Sequence, residues 1–288
     1  MPDLAVHYYF GQYVLHDLHD HSIDQHVFEY GLTGPDDWDL FGFPFLKREY
    51  TSRCSLMHTQ KTGAFLSALS KVPALHSYYI GYLCHYILDS TCHPYISAFA
   101  GELSPETTQY RGNHMAFERA LDNLYLSKNA PSASITSMIG EKLLLEFKVL
   151  INDIYQCVYG FSNAFDDLQK AKKGLKHYLR IVEDPSGLLK FLTSPIPHAT
   201  IKALPYSRKY YSNADILNLS HQKWHHPNDP NLVFTSSFPE LIDQANTAVI
   251  EILNGNHPIG NYSYLTGFDC DDPRNTNIQS FTPLERYC

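Results

Sequence analysis

Residues 74–96 restrict the fold of this chain more than any other segment, because they are apolar around most of the circumference of a helix. Such a helix is typical of the centre of a bundle. Its longest apolar run, residues 78–88, is interrupted by Gly81 and His85 and is too short to span a bilayer. We therefore predict a buried central helix and no transmembrane segment.

Helical spacing of apolar residues extends over most of the chain, whereas the alternation typical of strands is scarce. The other predicted helices are residues 5–18, 55–70, 113–126, 134–160, 162–182, 185–192 and 239–253. Loops are predicted at residues 31–44, 101–112, 194–205 and 226–239, where Gly, Pro, Asn and Asp cluster. We predict an all-α multi-helix bundle, a single domain over residues 1–288, with residues 254–288 as an irregular wrap.

Charge and composition narrow the functions that this chain can have. The formal net charge is −8, which argues against a stable nucleic-acid partner. Sixteen histidines favour metal binding. The amino-terminal residues lack the pattern of a secretory signal, so we expect a cytoplasmic protein. The six cysteines include no CxxC pair and are predicted to be reduced, with Cys270–Cys288 as an alternative disulfide.

His85, Asp89 and His93 follow one another at four-residue steps in the central segment. Such spacing places all three side chains along one stripe of a helix, about 12 Å long. One zinc ion, with bonds of about 2.0–2.2 Å, cannot reach both histidines, so two ions with Asp89 between them fit better. Pro94 follows His93 and is predicted to end or bend the helix there.

A second pair, His114 and Glu118, offers nitrogen and oxygen ligands one helical turn apart. Each group also has a structural interpretation. His85 and Asp89 are compatible with a hydrogen-bonded core pair, and His114 and Glu118 with a solvated helix face. A lone carboxylate in so apolar a helix is costly unless a cation accompanies it. The two groups together therefore favour metal binding.

Several motifs in the first 126 residues closely resemble the zinc-dependent phospholipase C family, whose wider relatives include single-strand-specific zinc nucleases. The main ones are GYLCHYILDSTCHPY at residues 81–95 and NHMAFE at 113–118. Upstream matches are MPDLAVHYYFGQ at residues 1–12, GLTGPD at 31–36 and MHTQ at 57–60. All of these motifs occur in the order expected for the family. The resemblance implies an all-helical fold with a multinuclear zinc centre.

The resemblance also implies which residues hold the ions. One ion would be bound by Asp36, His58, His85 and Asp89, and a second by His93, His114 and Glu118. A third would lie between Asp89, His7 and the first residue of the mature family members, which is a tryptophan. This chain starts at Met1, so two zinc ions are expected, with a third as an alternative. Asp36, rather than the adjacent Asp37, is implied to align the attacking water and accept its proton.

The expected function is zinc-dependent hydrolysis of a phosphodiester, of the phospholipase C type. The predicted substrate is a phospholipid or a small phosphodiester, because the acidic balance of the chain disfavours a long polyanion. The substrate-binding residues and the oligomeric state are not predicted. A nuclease-like phosphodiesterase and a non-catalytic metal-binding module remain alternatives.

Three further patterns have simpler interpretations. The histidines at positions 16, 19, 21 and 26, interleaved with acids, are predicted to lie on an exposed helix end and turn. Residues 224–226 (Trp-His-His) are predicted to anchor a loop, with a lid over the site as the alternative. The lysines at positions 170, 172, 173 and 176 are predicted to form a solvated helix face.

Overall fold

The computed structural model describes residues 4–100, 110–129, 132–141, 143–207 and 215–275. Within them the protein is an all-α bundle, as predicted. Its helices are α1 (Leu4–Leu18), α2 (Gln25–Gly31), α3 (Arg48–Thr59), α4 (Thr62–Ser70), α5 (His76–Phe99), α6 (Tyr110–Asn129), α7 (Lys148–Tyr159), α8 (Ala164–Val182), α9 (Leu188–Thr193), α10 (Ala199–Ala203) and α11 (Phe238–Leu253).

Short 3-10 turns and four small strands complete the described structure. The 3-10 turns are Asp36–Leu40, Pro73–Leu75, Ile135–Met138 and Leu145–Phe147. The strands are β1 (Glu183–Asp184), β2 (Tyr206–Ser207), β3 (Trp224–His226) and β4 (Asp229–Phe234). β1 pairs in parallel with β2, and β3 pairs antiparallel with β4. No helix in the described part of the chain combines the length and apolarity needed to cross a bilayer.

Helix α5 is the central helix of the bundle, and nearly every residue from Tyr78 to Phe99 is buried. It packs mainly against α2 and α11, and α1 and α4 also contact it. The all-round apolar character of this segment follows from these neighbours, because each face of the helix meets another element. Its buried histidines and aspartate therefore face the interior of the bundle, where α1, α3 and α6 supply further polar side chains.

Pro94 was predicted to end or bend the central helix. The prediction that the helix ends there was wrong, because α5 continues to Phe99. Proline removes one helical hydrogen bond and disfavours the helical region for the residue before it. Beyond Pro94, however, Tyr95, Ile96 and Phe99 are all buried in the main core. Burial of three large apolar side chains outweighs the local cost of the proline.

Two other predicted helices have different limits. Residues 55–70 are not one helix, because the chain breaks between α3 and α4 at Gln60, which is extended, and Lys61, which has φ +56°. Residues 134–160 are helical only from Lys148, apart from two 3-10 turns. Glu183 binds the side chain of Ser134 at 2.7 Å and thereby anchors the non-helical start of this segment.

Two surface segments, 16–26 and 224–226, largely match the sequence-based predictions. The 16–26 segment contains the end of α1, a turn and the start of α2, and both His16 and His26 are 79% exposed. Trp224 anchors its segment as predicted, since its ring packs on Tyr95 and its Nε1 donates to Ser236 O at 3.1 Å. The segment is, however, a strand rather than a loop, and β4 occupies part of the predicted loop at 226–239.

The prediction of a solvated lysine face on α8 was wrong for Lys172, which is 1% exposed. The chain from 254 to 275 is irregular, as predicted, and packs over the bundle. Tyr86 donates a hydrogen bond to Gly260 O at 2.7 Å, and Tyr264 N donates to His58 O at 2.9 Å. Cys288 and the rest of 276–288 lie outside the described residues.

Candidate metal centre

Helix α5 supplies the first two side chains of the candidate metal centre. His85 and Asp89 lie one turn apart, both are fully buried, and His85 Nε2 lies 3.2 Å from Asp89 Oδ2. The other ring nitrogen of His85, Nδ1, donates to Leu32 O at 2.9 Å. A carbonyl can only accept, so this bond assigns the proton to Nδ1. Nε2 of the neutral ring therefore points its lone pair toward the carboxylate.

Helix α1 brings His7 to the other side of the same carboxylate. His7 Nε2 lies 3.1 Å from Asp89 Oδ1, and His7 is 2% exposed. The His7 and His85 rings are stacked, with centroids 4.1 Å apart and planes inclined by 13°. The Asp89 carboxylate thus faces two imidazoles. The ligand atoms of these three residues all lie within 4.8 Å of one another.

A second group shares His85 and includes two residues from other elements. Asp36, at the start of the first 3-10 turn, has its Oδ1 3.0 Å from Nε2 of His58 on α3, and its Oδ2 3.9 Å from Nε2 of His85. Nδ1 of His58 donates to Cys54 O at 2.7 Å, which again directs Nε2 toward the carboxylate. The Asp36 side chain is 29% exposed, so this group borders solvent.

Gly34 makes this arrangement sterically feasible. Its φ is +49°, and a Cβ at this position would lie 2.3 Å from Cδ2 of His85. Glycine adopts the left-handed conformation at low cost, and because it has no side chain it leaves room for the His85 ring. The turn that precedes Asp36 can therefore pack directly against the His85 ring.

The remaining predicted ligands lie where α5 and α6 approach each other. His93 follows Asp89 by one turn, and its ring centroid is 4.8 Å from that of His114. His114 Nε2 lies 2.8 Å from Glu118 Oε1 on the same helix. These three residues form a third group beside the one centred on Asp89.

The family's sequence profile, described as zinc dependent phospholipase C, matches residues 6–174, which is more than half of the chain. The chain belongs to the zinc-dependent phospholipase C family. Searches of curated proteins and of solved structures returned no match. All eight residues that the resemblance assigned to metal binding fall within the matched part of this family member, in the three groups described above.

Burial and charge give the Asp89 group unusual pKa values. Burial acts to raise the Asp89 pKa, but attraction by His85 and His7 outweighs it and holds the pKa well below its usual range. Burial acts to lower the His85 pKa, but Asp89 and Asp36 outweigh it and raise that pKa. The His7 pKa is lowered by burial and by repulsion from His85. These directions indicate an ionised Asp89 beside a neutral His7, with His85 more readily protonated than a free imidazole.

The third group also differs from solvent-exposed side chains. Burial and the neighbouring His114 hold the His93 pKa well below its usual range. Burial acts to raise the Glu118 pKa, but attraction by His114 outweighs it and lowers the pKa. The His93 ring is therefore neutral and the Glu118 carboxylate ionised at neutral pH.

The residues of the centre fit zinc, because several of their buried polar atoms converge and have no hydrogen-bond partner among the described residues. Within the described part of the chain, six buried atoms of the centre have no hydrogen-bond partner: both ring nitrogens of His7, Nε2 of His85, both carboxylate oxygens of Asp89 and Nδ1 of His93. A buried polar atom without a partner costs about 1–3 kcal/mol. Imidazole nitrogens and carboxylate oxygens are zinc ligands, and a cation among them would offset that cost.

Sequence reasoning missed residues that hold the ligands in place. Asp122 of α6 is fully buried and accepts hydrogen bonds from Ala5 N at 2.8 Å and Val6 N at 2.9 Å, which fixes the start of α1 next to His7. Asp122 follows Glu118 by four residues, and this helical spacing could have identified it from the sequence. Tyr264 packs edge-on against His58, with ring centroids 5.0 Å apart. No pattern in its turn-rich segment pointed to that contact.

Proposed function

We propose that this member of the zinc-dependent phospholipase C family hydrolyses phosphodiester bonds at the centre formed by the three groups. The observation that supports the proposal best is the Asp89 carboxylate, which is fully buried between His7 and His85. Asp36, partly exposed, lies beside the same His85. A buried set of ligands that opens to solvent at one carboxylate combines metal binding with access for a substrate.

We assign the metal ligands as the resemblance implied them: His7, Asp36, His58, His85, Asp89, His93, His114 and Glu118. Bound zinc would supply Lewis-acid polarisation of the phosphoryl group and lower the pKa of water toward neutrality. The geometry supports two ions, one at the groups that share His85 and one at His93, His114 and Glu118. A third ion is the alternative, since His7 and Asp89 lie on one side of the first site and together could hold a further ion.

Asp36 is the proposed catalytic residue. Its Oδ1 is engaged by His58 at 3.0 Å, and its side chain is exposed to solvent over 29% of its surface. It can accept a hydrogen bond from an attacking water and orient that water toward phosphorus. His58 in turn is held by Cys54 O, so the orientation of the Asp36 carboxylate is fixed by the backbone of α3.

A phospholipid is the proposed substrate class, since the family is one of phospholipases C. A nucleotide diester is the second candidate, because nuclease relatives have the same kind of centre, and a non-catalytic metal-binding module is the third. The net charge of −8 favours a lipid or a small diester over a long nucleic acid.

The test compares two soluble substrates with the zinc-loaded protein. We expect release of nitrophenol from nitrophenyl phosphorylcholine to exceed release from a nitrophenyl nucleotide diester. Asp36→Asn should lower kcat about 10²- to 10⁴-fold with most of the zinc retained. Asp153→Asn on the exposed face of α7 is the matched control and should leave kcat unchanged. Full zinc with no hydrolysis of either ester would favour the binding module.

A further inference from the structure

Residues 45–48, at the end of the loop before α3 and at its first residue, expose apolar and basic side chains together, shortly after the 3-10 turn that begins at Asp36. Phe45 is 84% exposed and Leu46 52% exposed. Lys47 and Arg48 follow them and are also exposed. Two large exposed apolar side chains beside two cations are unusual on a surface that contacts only water.

Helix α8 presents a basic stripe beside this loop. Lys170, Lys173, His177 and Arg180 are spaced by three, four and three residues, so they share one face of the helix, and all four are exposed. Ile181 extends this face and is 54% exposed. The chain as a whole has a net charge of −8, so a stripe of cations is a local departure from its average.

The loop and the stripe form one surface. The Phe43 ring lies edge-on to the His177 ring, with centroids 5.5 Å apart, and Lys170 Nζ lies 5.9 Å from the centroid of the Phe41 ring. We call residues 45–48 together with Lys170, Lys173, His177 and Arg180 the docking surface. Two acidic groups at its border are engaged already, since Asp167 contacts Lys170 and Arg53, and Glu49 pairs with Arg53.

The docking surface adjoins the candidate metal centre. Asp37, which follows Asp36, pairs with Lys172 on the inner face of α8, with Oδ2 and Nζ 2.7 Å apart. The outer face of the same helix belongs to the docking surface. A molecule held there would therefore lie next to the 3-10 turn that positions Asp36.

We propose that the docking surface binds a bilayer that contains anionic phospholipids. Phe45 and Leu46 would enter the boundary between headgroups and acyl chains, and the lysines and arginines would face anionic headgroups. The combination of an exposed apolar tip with a cationic stripe matches such a bilayer in both chemistry and charge. The biological role of this binding rests on the proposed function, because a phospholipase must meet its substrate at an interface. The binding to vesicles itself can be measured separately.

The experiment is co-sedimentation of the zinc-loaded protein with sucrose-filled vesicles. We expect binding to phosphatidylcholine vesicles to increase strongly when phosphatidylserine is included, and to weaken with added salt. Phe45→Ser/Leu46→Ser should lower the partition coefficient about tenfold or more. Lys173→Gln and Arg180→Gln should each lower it about fivefold, on phosphatidylserine vesicles only. Leu219→Ser, at a leucine that is 61% exposed and hydrogen-bonded through its N–H to Asp215, is the control and should bind as the parent does.

Hydrolysis of nitrophenyl phosphorylcholine, which is soluble, separates this inference from the proposed function. The docking variants should retain the parental rate on that ester and lose activity only on vesicles. Parental vesicle binding by Phe45→Ser/Leu46→Ser, or no dependence on phosphatidylserine, would overturn the inference even if the ester is hydrolysed. Failure to hydrolyse the ester would count against the proposed function, while the binding measurements would still decide the role of the surface.

Discussion

Asp36 and Asp37 are consecutive, yet the Asp36 carboxylate contacts a histidine and the Asp37 carboxylate contacts a lysine. Asp36 Oδ1 lies 3.0 Å from Nε2 of His58, whereas Asp37 Oδ2 lies 2.7 Å from Nζ of Lys172. The first aspartate thus belongs to the candidate metal centre and the second to a buried ion pair. The ion pair ties the 3-10 turn to α8 and limits how far Asp36 can move.

Lys172→Met should destabilise the protein strongly, because it leaves the buried Asp37 carboxylate without its cation. Burial raises the Asp37 pKa and lowers the Lys172 pKa, so each charge depends on the other. Removing one partner of a buried pair costs about 3–5 kcal/mol. Urea unfolding should show that loss in the free energy of unfolding. Asp37→Asn/Lys172→Met should recover much of it, and the exposed Lys173→Met should cost less than about 0.5 kcal/mol. Equal stability of Lys172→Met and Lys173→Met would contradict the account.

Removal of zinc should lower the thermal stability of the protein, because Asp89 is buried and depends on a cation. At a free zinc concentration about 1,000 times Kd, binding contributes about 4 kcal/mol to the free energy of unfolding. Thermal unfolding with and without a chelator measures the effect. Asp89→Asn should lose the ion at the groups that share His85 and respond less to the chelator, whereas Asp153→Asn should keep the full response. A chelator response in Asp89→Asn as large as in the parent would argue that zinc binds elsewhere.

Gly34→Ala should impair the centre as well as the fold, because the added Cβ would lie 2.3 Å from the His85 ring and φ is +49°. Gly160→Ala is the matched control. Gly160 has φ +79°, but nothing lies within 4 Å of its added Cβ. Both variants pay about 1–2 kcal/mol for left-handed backbone. Only Gly34→Ala should also lose zinc affinity and hydrolysis, as measured by zinc titration and nitrophenol release; equal losses in both would contradict the placement of His85.

Acid should loosen residues 258–275 as the Asp272 carboxylate becomes protonated. Hydrogen bonds from Arg274 lower the Asp272 pKa from its ordinary value of 3.8 to about 2. A depressed pKa in the folded state adds stability above the unfolded value, and that stability is lost as pH falls from about 3.8 to about 2. Amide exchange in residues 258–275 should be slower in the parent than in Asp272→Asn at about pH 5, and the difference should vanish near pH 2. A difference that persists unchanged at the lower pH would exclude this pair as its source.

The sequence predicted the all-α class and the central helix because apolar periodicity and burial depend on the same spacing. It also placed His85, Asp89 and His93 on one stripe of that helix. It could not bring His7, Asp36 and His58 to them by spacing, because those residues lie on separate elements. Only the resemblance to a family grouped them.

The errors have a common physical cause, which is tertiary packing that local patterns do not contain. Pro94 stays within α5 because the residues after it are buried. The break between α3 and α4 follows from the left-handed Lys61, and Thr62 then donates to Tyr262 O at 2.8 Å, 200 residues away in the chain. Lys172 is buried because its partner Asp37 lies on another element. Each error therefore involves a long-range contact.

The central claim is that the three groups hold zinc, and anomalous diffraction from a zinc-loaded crystal at the zinc absorption edge tests it most directly. We expect one peak among His85, Asp89, Asp36 and His58, and another among His93, His114 and Glu118. A peak next to His7 would add the third ion. Crystals of zinc-loaded protein with no anomalous peak at these side chains, or with peaks only elsewhere, would contradict it.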